Sequence, residues 1–414
     1  MTLRFLYVDF NSYFASVEQQ LRPELRGCPV GVLPVMAETT CCIAASYEAK
    51  AFGIRTGTGV AEARQRCPDI VFVEARPALY VEKHHELIAV VESCTPVGRV
   101  LSIDEMVCPL MGSEREPRAA LRLAELIKQT IATRVGKHLR CSIGIAPNTF
   151  LAKLASNMKK PDGCTVIEQR DLPGILHPLE IRALTGIGRA MESRLRTRGI
   201  RTMPQLLNLN ADQMQAAWGS IEGRRMHDRL RGIEPPQTAQ DRASVSHSHV
   251  MPPKLRHDEG ARSVLHRLLQ KAAMRLRSLG LSSGALHAYI KYENRTAWHG
   301  DRRFERNNDT IALLHALEEI WAERPRTQVK PLAVGVALGN LDTAETRSLG
   351  LFDEGLRQRH GRLDAVIDAV NIRHGRNTLY FGGAHQALSA APMRIAFQHI
   401  PDLAVEGDGR PQSL

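Results

Sequence analysis

Two adjacent carboxylates set among apolar residues constrain this chain more than anything else in it. Leu101-Ser102-Ile103-Asp104-Glu105-Met106 is preceded by Val97-Gly98-Arg99-Val100 and followed by Val107-Cys108-Pro109-Leu110, a pattern that reads as an extended, half-buried hairpin. Ionised carboxylates are costly in such a setting unless a cation meets them. From this segment alone, a β-turn showing its acids to water accounts for the residues equally well. A third acid shifts the balance, because the apolar run 3–8 ends at Asp9-Phe10. If that strand pairs beside the hairpin, Asp9, Asp104 and Glu105 converge at one sheet edge, and three oxygen donors at one point suit Mg²⁺.

The chain of 414 residues has room for roughly two to four domains with cores of their own. Its 55 Lys and Arg against 44 Asp and Glu leave a formal charge of +11, which favours a polyanionic partner. All eight cysteines fall between Cys28 and Cys164 without a C-x-x-C pair, so reduced thiols filling cores are expected, and neither a disulfide framework nor a zinc site. No apolar run is long enough to span a bilayer and no signal peptide opens the chain, which gives the expectation of a cytoplasmic location and no membrane.

Downstream of Asp9, Asn11 or Ser12 is placed to cap a helix with Phe14, Val17 and Leu21 on one face. Residues 30–33 and 40–45 read as short strands, followed by a helix carrying Tyr47, Lys50 and Phe52 that Gly53 ends. Tyr47 and Lys50 lie three apart, so a hydroxyl and an ammonium can reach the same phosphate; a solvated surface pair is the plainer alternative. Residues 119–135 show helical spacing through Leu121, Leu126, Ile127 and Ile131, residues 140–145 read as a strand and 150–158 as a helix. The alternation predicts a mixed sheet with helices on one face.

From residue 172 the texture changes to short helices. Leu184-Thr185-Gly186-Ile187-Gly188 with Met191, Leu195 and Gly199-Ile200 matches a helix-hairpin-helix, where two glycines let backbone N–H groups approach a phosphate without reading sequence. Residues 237–247 are polar, lack periodicity and read as a linker. Beyond them Val264, Leu265, Leu268, Leu269, Ala272, Leu276 and Leu279 mark an amphipathic helix closed by Gly280. Leu286, Ala288, Ile290 and Tyr292 alternate, as do Leu332, Val334, Val336 and Leu338, and residues 311–321 supply another helix, making a small α+β domain. Basic residues gather there, from Lys254, Arg256, Arg262, Arg267 and Lys271 through Arg275 and Arg277 to Lys291, Arg295, Arg302, Arg303 and Arg306, some of them as solvated helix faces.

Taken in order, Val8-Asp9-Phe10, Tyr13-Phe14-Ala15-Ser16-Val17-Glu18, Tyr47-Glu48-Ala49-Lys50-Ala51-Phe52-Gly53 and Ser102-Ile103-Asp104-Glu105 resemble the Y-family (translesion) DNA polymerases. Gly144-Ile145-Ala146-Pro147-Asn148, Leu151-Ala152-Lys153-Leu154-Ala155-Ser156 and Lys159-Lys160-Pro161-Asp162-Gly163 extend the resemblance, which is polymerase IV-like with some polymerase V-like features. It implies a multidomain α+β, right-hand polymerase fold: a ferredoxin-like palm at 1–10 and 77–166, small fingers at 11–76, a helix-hairpin-helix thumb at 167–236, the linker 237–247, an α+β little finger at 248–345 and a tail from 346 to 414.

The resemblance also implies the chemistry. Asp9, Asp104 and Glu105, with the Phe10 carbonyl, would hold two Mg²⁺, with Asp104 and Glu105 as catalytic acids. Tyr47, Lys50 and Lys160 would neutralise the triphosphate of a deoxynucleotide, Phe14 would be the steric gate against a ribose 2′-hydroxyl, and Gly186 and Gly188 would touch primer–template DNA. Lys50 stands where polymerase IV-like members commonly have arginine, which keeps the charge and loses the bidentate fork. Ile43 would face the nascent pair in an open site of low fidelity, tolerant of damaged templates. Ser348-Leu349-Gly350-Leu351-Phe352-Asp353 is similar to the peptide by which many members bind the sliding clamp, with Leu349, Leu351 and Phe352 as its apolar plug and Ser348 in place of the usual glutamine. Residues 363–397 are like the C-terminal stretches of some members, without a mechanism attached. Two rivals remain: a palm-type nucleotide cyclase, which has no use for a helix-hairpin-helix, and a non-catalytic polymerase-like adaptor, a kind of protein that loses the metal acids.

Overall fold

The last five residues of β1 (Phe5–Phe10) are all buried, which requires cover on both faces of the sheet that it centres. The computed structural model describes residues 3–236, 242–343, 354–393, 395 and 400–403. After β1 come α1 (Tyr13–Leu21), β2 (Val30–Leu33), β3 (Ala44–Ala45), α2 (Tyr47–Ala51), α3 (Val60–Arg66) and β4 (Val71–Glu74). Then follow α4 (Pro77–Glu92), β5 (Arg99–Ser102), β6 (Glu105–Pro109), α5 (Pro117–Arg134), β7 (Cys141–Ala146), α6 (Thr149–Met158) and β8 (Cys164–Val166). The main sheet has the order β5-β6-β1-β7-β8, with only β7 and β8 parallel.

Leu6, Val8 and Phe10 pack with α4 and α5, whereas Tyr7 packs with α6, so helices cover both faces where one was expected. The uninterrupted apolar run of β1 is the reason. Within β7, a Cβ on Gly144 would sit 1.9 Å from the Ala152 carbonyl oxygen, so the backbone of α6 lies directly on the strand. In α5 the buried stripe is Ala120, Leu123, Ala124, Ile127 and Ile131; Leu121 and Leu126, expected inside, fall off that stripe and are exposed. Leu21 likewise faces water at the end of α1, while Val17 is buried.

A second, smaller sheet, β3-β2-β4, carries its own core of Leu33, Cys42, Ala45, Ala49, Ile54, Val60, Ala63, Cys67 and Ile70. The strand expected at 40–45 shrinks to β3 and an isolated bridge between Cys41 and Gly59. Thr40 turns its hydroxyl onto the Val35 and Ala37 carbonyls, and its own carbonyl accepts from Val60 N–H, so the chain leaves the β2 edge.

α7 (Arg189–Thr197), α8 (Met203–Leu207), α9 (Ala211–Trp218) and α10 (Glu222–Leu230) share a core with α6. Buried Asn148 ties them there: its Oδ1 caps α6 by accepting from Leu151 N–H at 2.7 Å, and its Nδ2 donates to the Arg229 and Ile233 carbonyls at 2.7 and 3.0 Å.

The C-terminal domain consists of β9 (Ser244–Val250), α11 (Asp258–Ser278), β10 (Leu281–Tyr292), β11 (Ala297–Asn307), α12 (Thr310–Ala322), β12 (Pro331–Thr343) and α13 (Glu354–His374). Its antiparallel sheet runs β11-β10-β12-β9 over a core with α11 and α12. Residues 244–247, expected within the linker, open β9, because Val245 and His249 face the core two by two while serines fill the outer positions. The chain then crosses to the first core: Ala384, Ala387, Ala390 and Ala391 are buried beside α11 and β9, whereas Met393, Ile395, Ile400 and Leu403 pack against the core around β1. The clamp-type peptide with Leu349, Leu351 and Phe352 lies outside the described residues. Among the described residues no helix is long and apolar enough to cross a membrane.

Candidate functional site

Pairing of β1 with β6 sets Asp9 opposite Glu105, and Phe10 N–H donates to the Asp104 carbonyl at 2.9 Å, which brings the three acids to one sheet edge. They are met by cations already present in the chain. Lys160 Nζ lies 2.6 Å from Asp9 Oδ2, and Lys153 Nζ lies 2.7 Å from Glu105 Oε1. Ser102 Oγ donates to Asp104 Oδ1 at 2.7 Å. Burial pushes the Asp9 carboxyl up to about 6, against the pull of Lys160 and with a further push from Glu105 and Asp104. Asp104 is raised as well, by burial first, with Ser102 working the other way. Turned onto lysines and a serine, the acids form no ready-made cage, and among the described residues no group of three His, Cys, Asp or Glu side chains is arranged as one.

Asn11 does not cap α1, and neither does Ser12, whose φ of 49° turns the chain without a side-chain cap. Asn11 is buried and exchanges hydrogen bonds with Ser142 of β7, while its Oδ1 accepts from Asp162 N–H at 2.7 Å. The loop bearing Lys160 is thereby fastened to the strand bearing Asp9.

Ser46 caps α2 by accepting from Ala49 N–H, and on that helix Lys50 Nζ sits 4.3 Å from the centre of the Tyr47 ring. Burial pushes the Tyr47 hydroxyl up to about 12, and burial followed by the nearby charge of Lys160 lowers Lys50. Phe14 stacks on Tyr80 with ring centres 4.6 Å apart and planes 15° from parallel. Tyr80 is fixed in turn: its hydroxyl donates to Glu18 at 2.8 Å, Arg76 grips both oxygens of that carboxylate, and the Tyr80 carbonyl accepts from Tyr13 at 2.6 Å.

One cavity of about 570 Å³ is walled by Asp9, Phe10, Phe14, Ile43, Tyr47, Lys50, Asp104, Glu105 and Lys160, together with Tyr80, Ser102, Lys153, Pro392, Met393 and Ile395. Sequence reasoning missed the second set. For Lys153 the available signal was a lone charge inside the otherwise apolar run 150–155 of α6. Nothing in the local sequence of residues 392–395 points to the acids. Gly186 and Gly188 lie in the hairpin before α7, with φ of 90° at Gly186 and open space where a Cβ would stand on either.

The basic residues of the C-terminal domain sort into two kinds. Arg256, Arg262, Arg277, Arg302 and Arg306 are spent on Glu293, Glu318, Asp368, Glu319 and Asp342 respectively, and the expectation that the group as a whole faces a polyanion is corrected to that extent. Lys291 and Arg303 lie exposed on the open face of the β10–β11 sheet beside Tyr289 and the stacked rings of His287 and His299, and among the described residues neither makes an ion pair.

Residues 8–157 match the family described as impB/mucB/samB, residues 242–351 its C-terminal domain, and residues 182–234 the thumb domain of DNA polymerase-iota. Among curated relatives, the DNA polymerase IV of Moorella thermoacetica is 35% identical over 387 residues, covering 91% of this chain and 94% of that protein. The DNA polymerase IV of Bacillus anthracis is 31% identical over 390 residues, covering 91% and 92%. A solved Y-family DNA polymerase chimera of Dbh and Dpo4 superposes with a TM-score of 0.70 at 22% identity, over 82% of this chain and 99% of that one, a likeness of fold.

Proposed function

The chain belongs to the impB/mucB/samB, or Y, family and is a DNA-directed DNA polymerase, and from that premise we propose that its acid cavity performs low-fidelity, template-directed nucleotidyl transfer past damaged bases. The single observation that carries the reading is the convergence of Asp9, Asp104 and Glu105 with Lys160, Lys50, Tyr47 and the stacked Phe14 in one cavity.

Divalent metal ions are general in this family, and the donor set here fits them. Three buried or half-buried carboxylates, held at present by two lysines, are hard oxygen ligands of the kind Mg²⁺ takes. Asp9, Asp104, Glu105 and the Phe10 carbonyl would hold two such ions, whose chemistry is to acidify the primer 3′-hydroxyl and to steady the departing pyrophosphate. Lys160, Lys50 and Tyr47 bind and orient the triphosphate, a preorganised countercharge in the same cavity as the acids. Phe14 excludes a 2′-hydroxyl by volume. The core around β1 would serve as palm, the small β3-β2-β4 unit as fingers, the α7–α10 bundle as thumb and the C-terminal domain as little finger, with the Gly186–Gly188 hairpin and the open face carrying Lys291 and Arg303 on the DNA backbone. Leu349, Leu351 and Phe352 would engage a sliding clamp, and the chain would work in the cytoplasm.

Primer extension with Mg²⁺ and all four deoxynucleotides, comparing the wild type with Asp104→Ala plus Glu105→Ala, tests the assignment. Extension that vanishes in the double variant is expected. A wild type that binds primer–template but never extends it would mark the chain as an adaptor, which the intact acids disfavour.

A further inference from the structure

Two ammonium groups meet the three acids, and they differ in where else they can go. Lys160 stands on the loop after α6, 2.6 Å from Asp9 Oδ2, and shares the cavity with Lys50 and Tyr47, so a triphosphate competes for it. Lys153 stands inside α6, whose backbone lies on β7 at Gly144, so the root of its side chain is fixed. Its Nζ reaches both oxygens of Glu105, at 2.7 and 2.9 Å, and rests 5.6 Å from the centre of the ring of Tyr7, a residue 1% exposed. Among the described residues no other carboxylate pairs with it.

Glu105 is therefore a carboxylate with a counter-ion built beside it. Lys153 is also its main hold, since Ser102 Oγ stands off at 3.3 Å from Glu105 Oε2 and is turned chiefly onto Asp104. The Glu105 side chain is 17% exposed and that of Lys153 26%, so water screens the pair only in part. A doubly charged ion on the same carboxylate meets an ammonium that has no second carboxylate to turn to. Repulsion between a single and a double charge at neighbouring contacts is worth about tenfold in affinity even at the dielectric of water. Taking the acid cavity as the polymerase site, we propose that Lys153 is a positioning residue, a resident counter-ion that holds Glu105 and sets how tightly the acids take their divalent ion.

Full-length wild type, Lys153→Met, Lys153→Arg and Asp104→Ala plus Glu105→Ala are titrated with Mn²⁺ at pH 8, without DNA or nucleotide, and the free ion is followed by its electron paramagnetic resonance signal. Methionine keeps most of the side-chain length without the charge, and arginine keeps the charge. Lys153→Met is expected to bind Mn²⁺ about tenfold tighter than the wild type, and Lys153→Arg about equally. Thermal melts in EDTA and in Mn²⁺ give a second readout. Lys153→Met should melt below the wild type in EDTA and recover the difference in Mn²⁺, because the ion takes the place of the lost countercharge. Unchanged or weaker Mn²⁺ binding by a folded Lys153→Met, or equal tightening by Lys153→Arg, overturns the counter-ion. A Lys153→Met chain that folds only with Mn²⁺ supports it, and one that folds in neither condition shows a purely structural lysine and overturns it. Mn²⁺ binding that survives in the double acid variant places the ion elsewhere and speaks against the catalytic reading itself. Binding lost there, with Lys153→Met unmoved, sinks the counter-ion alone, so the two failures are distinguishable.

Discussion

Replacing Arg76 with alanine removes the main countercharge of a carboxylate with no exposure at all. Glu18 is 0% exposed and accepts from Arg76 Nε and Nη2 at 3.0 and 2.6 Å and from Tyr80 at 2.8 Å, with Arg22 standing off at 3.5 Å. Breaking a buried pair by removing one partner costs about 3–5 kcal/mol. The Arg76 side chain is 33% exposed, so water and Arg22 recover part of that, and a loss of about 2 kcal/mol is expected. The effect should pass along the contacts to the sugar. Glu18 holds the Tyr80 hydroxyl, and the Tyr80 ring is the platform on which Phe14 stacks. An aromatic pair of this kind is worth about 0.5–1.5 kcal/mol, so a loosened Phe14 should lose roughly 2- to 10-fold of its discrimination against ribonucleotides. Phe14→Ala, with no ring left, sets the upper limit and is expected to admit them. Urea denaturation reads the first number, and single-nucleotide primer extension with matched deoxy- and ribonucleotides reads the second. A variant destabilised as expected but with unchanged sugar selectivity would refute the link from Glu18 to Phe14.

Acid should weaken the core through His84, whose ring Nδ1 lies 2.8 Å from the Ile103 carbonyl and whose burial pushes it down to about 4. Below pH 6.5 the unfolded chain takes up a proton that the folded ring refuses, so stability falls from pH 6.5 to about 4 by roughly 3 kcal/mol in all, and His84→Gln should flatten that slope; parallel urea-midpoint profiles would sink the idea. Gly144→Ala should cost about 3 kcal/mol or abolish folding, because the Ala152 carbonyl and Ser156 nitrogen are backbone atoms that cannot step aside; an unaltered thermal melt would mean that α6 does not lie on β7 as described. Replacing both Lys291 and Arg303 by alanine should lower the salt slope of log K for DNA by about 1.8, whereas Arg306→Ala, already paired with Asp342, should leave it alone; equal slopes for all three would place the duplex elsewhere.

The hairpin acids were legible because an acidic dipeptide inside an apolar strand pattern has few other uses, and a third acid at the end of β1 narrowed them further. Helix positions were legible too, but faces less so. In α5 the buried stripe is built partly of alanines, which carry little hydropathy, so Leu121 and Leu126 drew attention that Ala120 and Ala124 deserved. β9 was hidden by serines and histidines whose alternation only the neighbouring β12 reveals. Contacts between distant segments lay beyond local pattern altogether: nothing near Glu18 announces Arg76, and nothing near Met393 announces the core around β1.

Asn11 joins the strand of Asp9 to the loop of Lys160 through a single side chain, while Tyr47 and Lys50 ride on a unit with a small core of its own that leans on α1. The cavity therefore has a fixed jaw and an adjustable one. The positions of Asp9 and Lys160 on the fixed side are inherited together, so a change at Asn11 disturbs both at once. An engineer, or selection, seeking a different tolerance for bulky or distorted nucleotides has its freedom on the other jaw, where Ile43, Tyr47 and Lys50 stand on elements that carry none of the three acids.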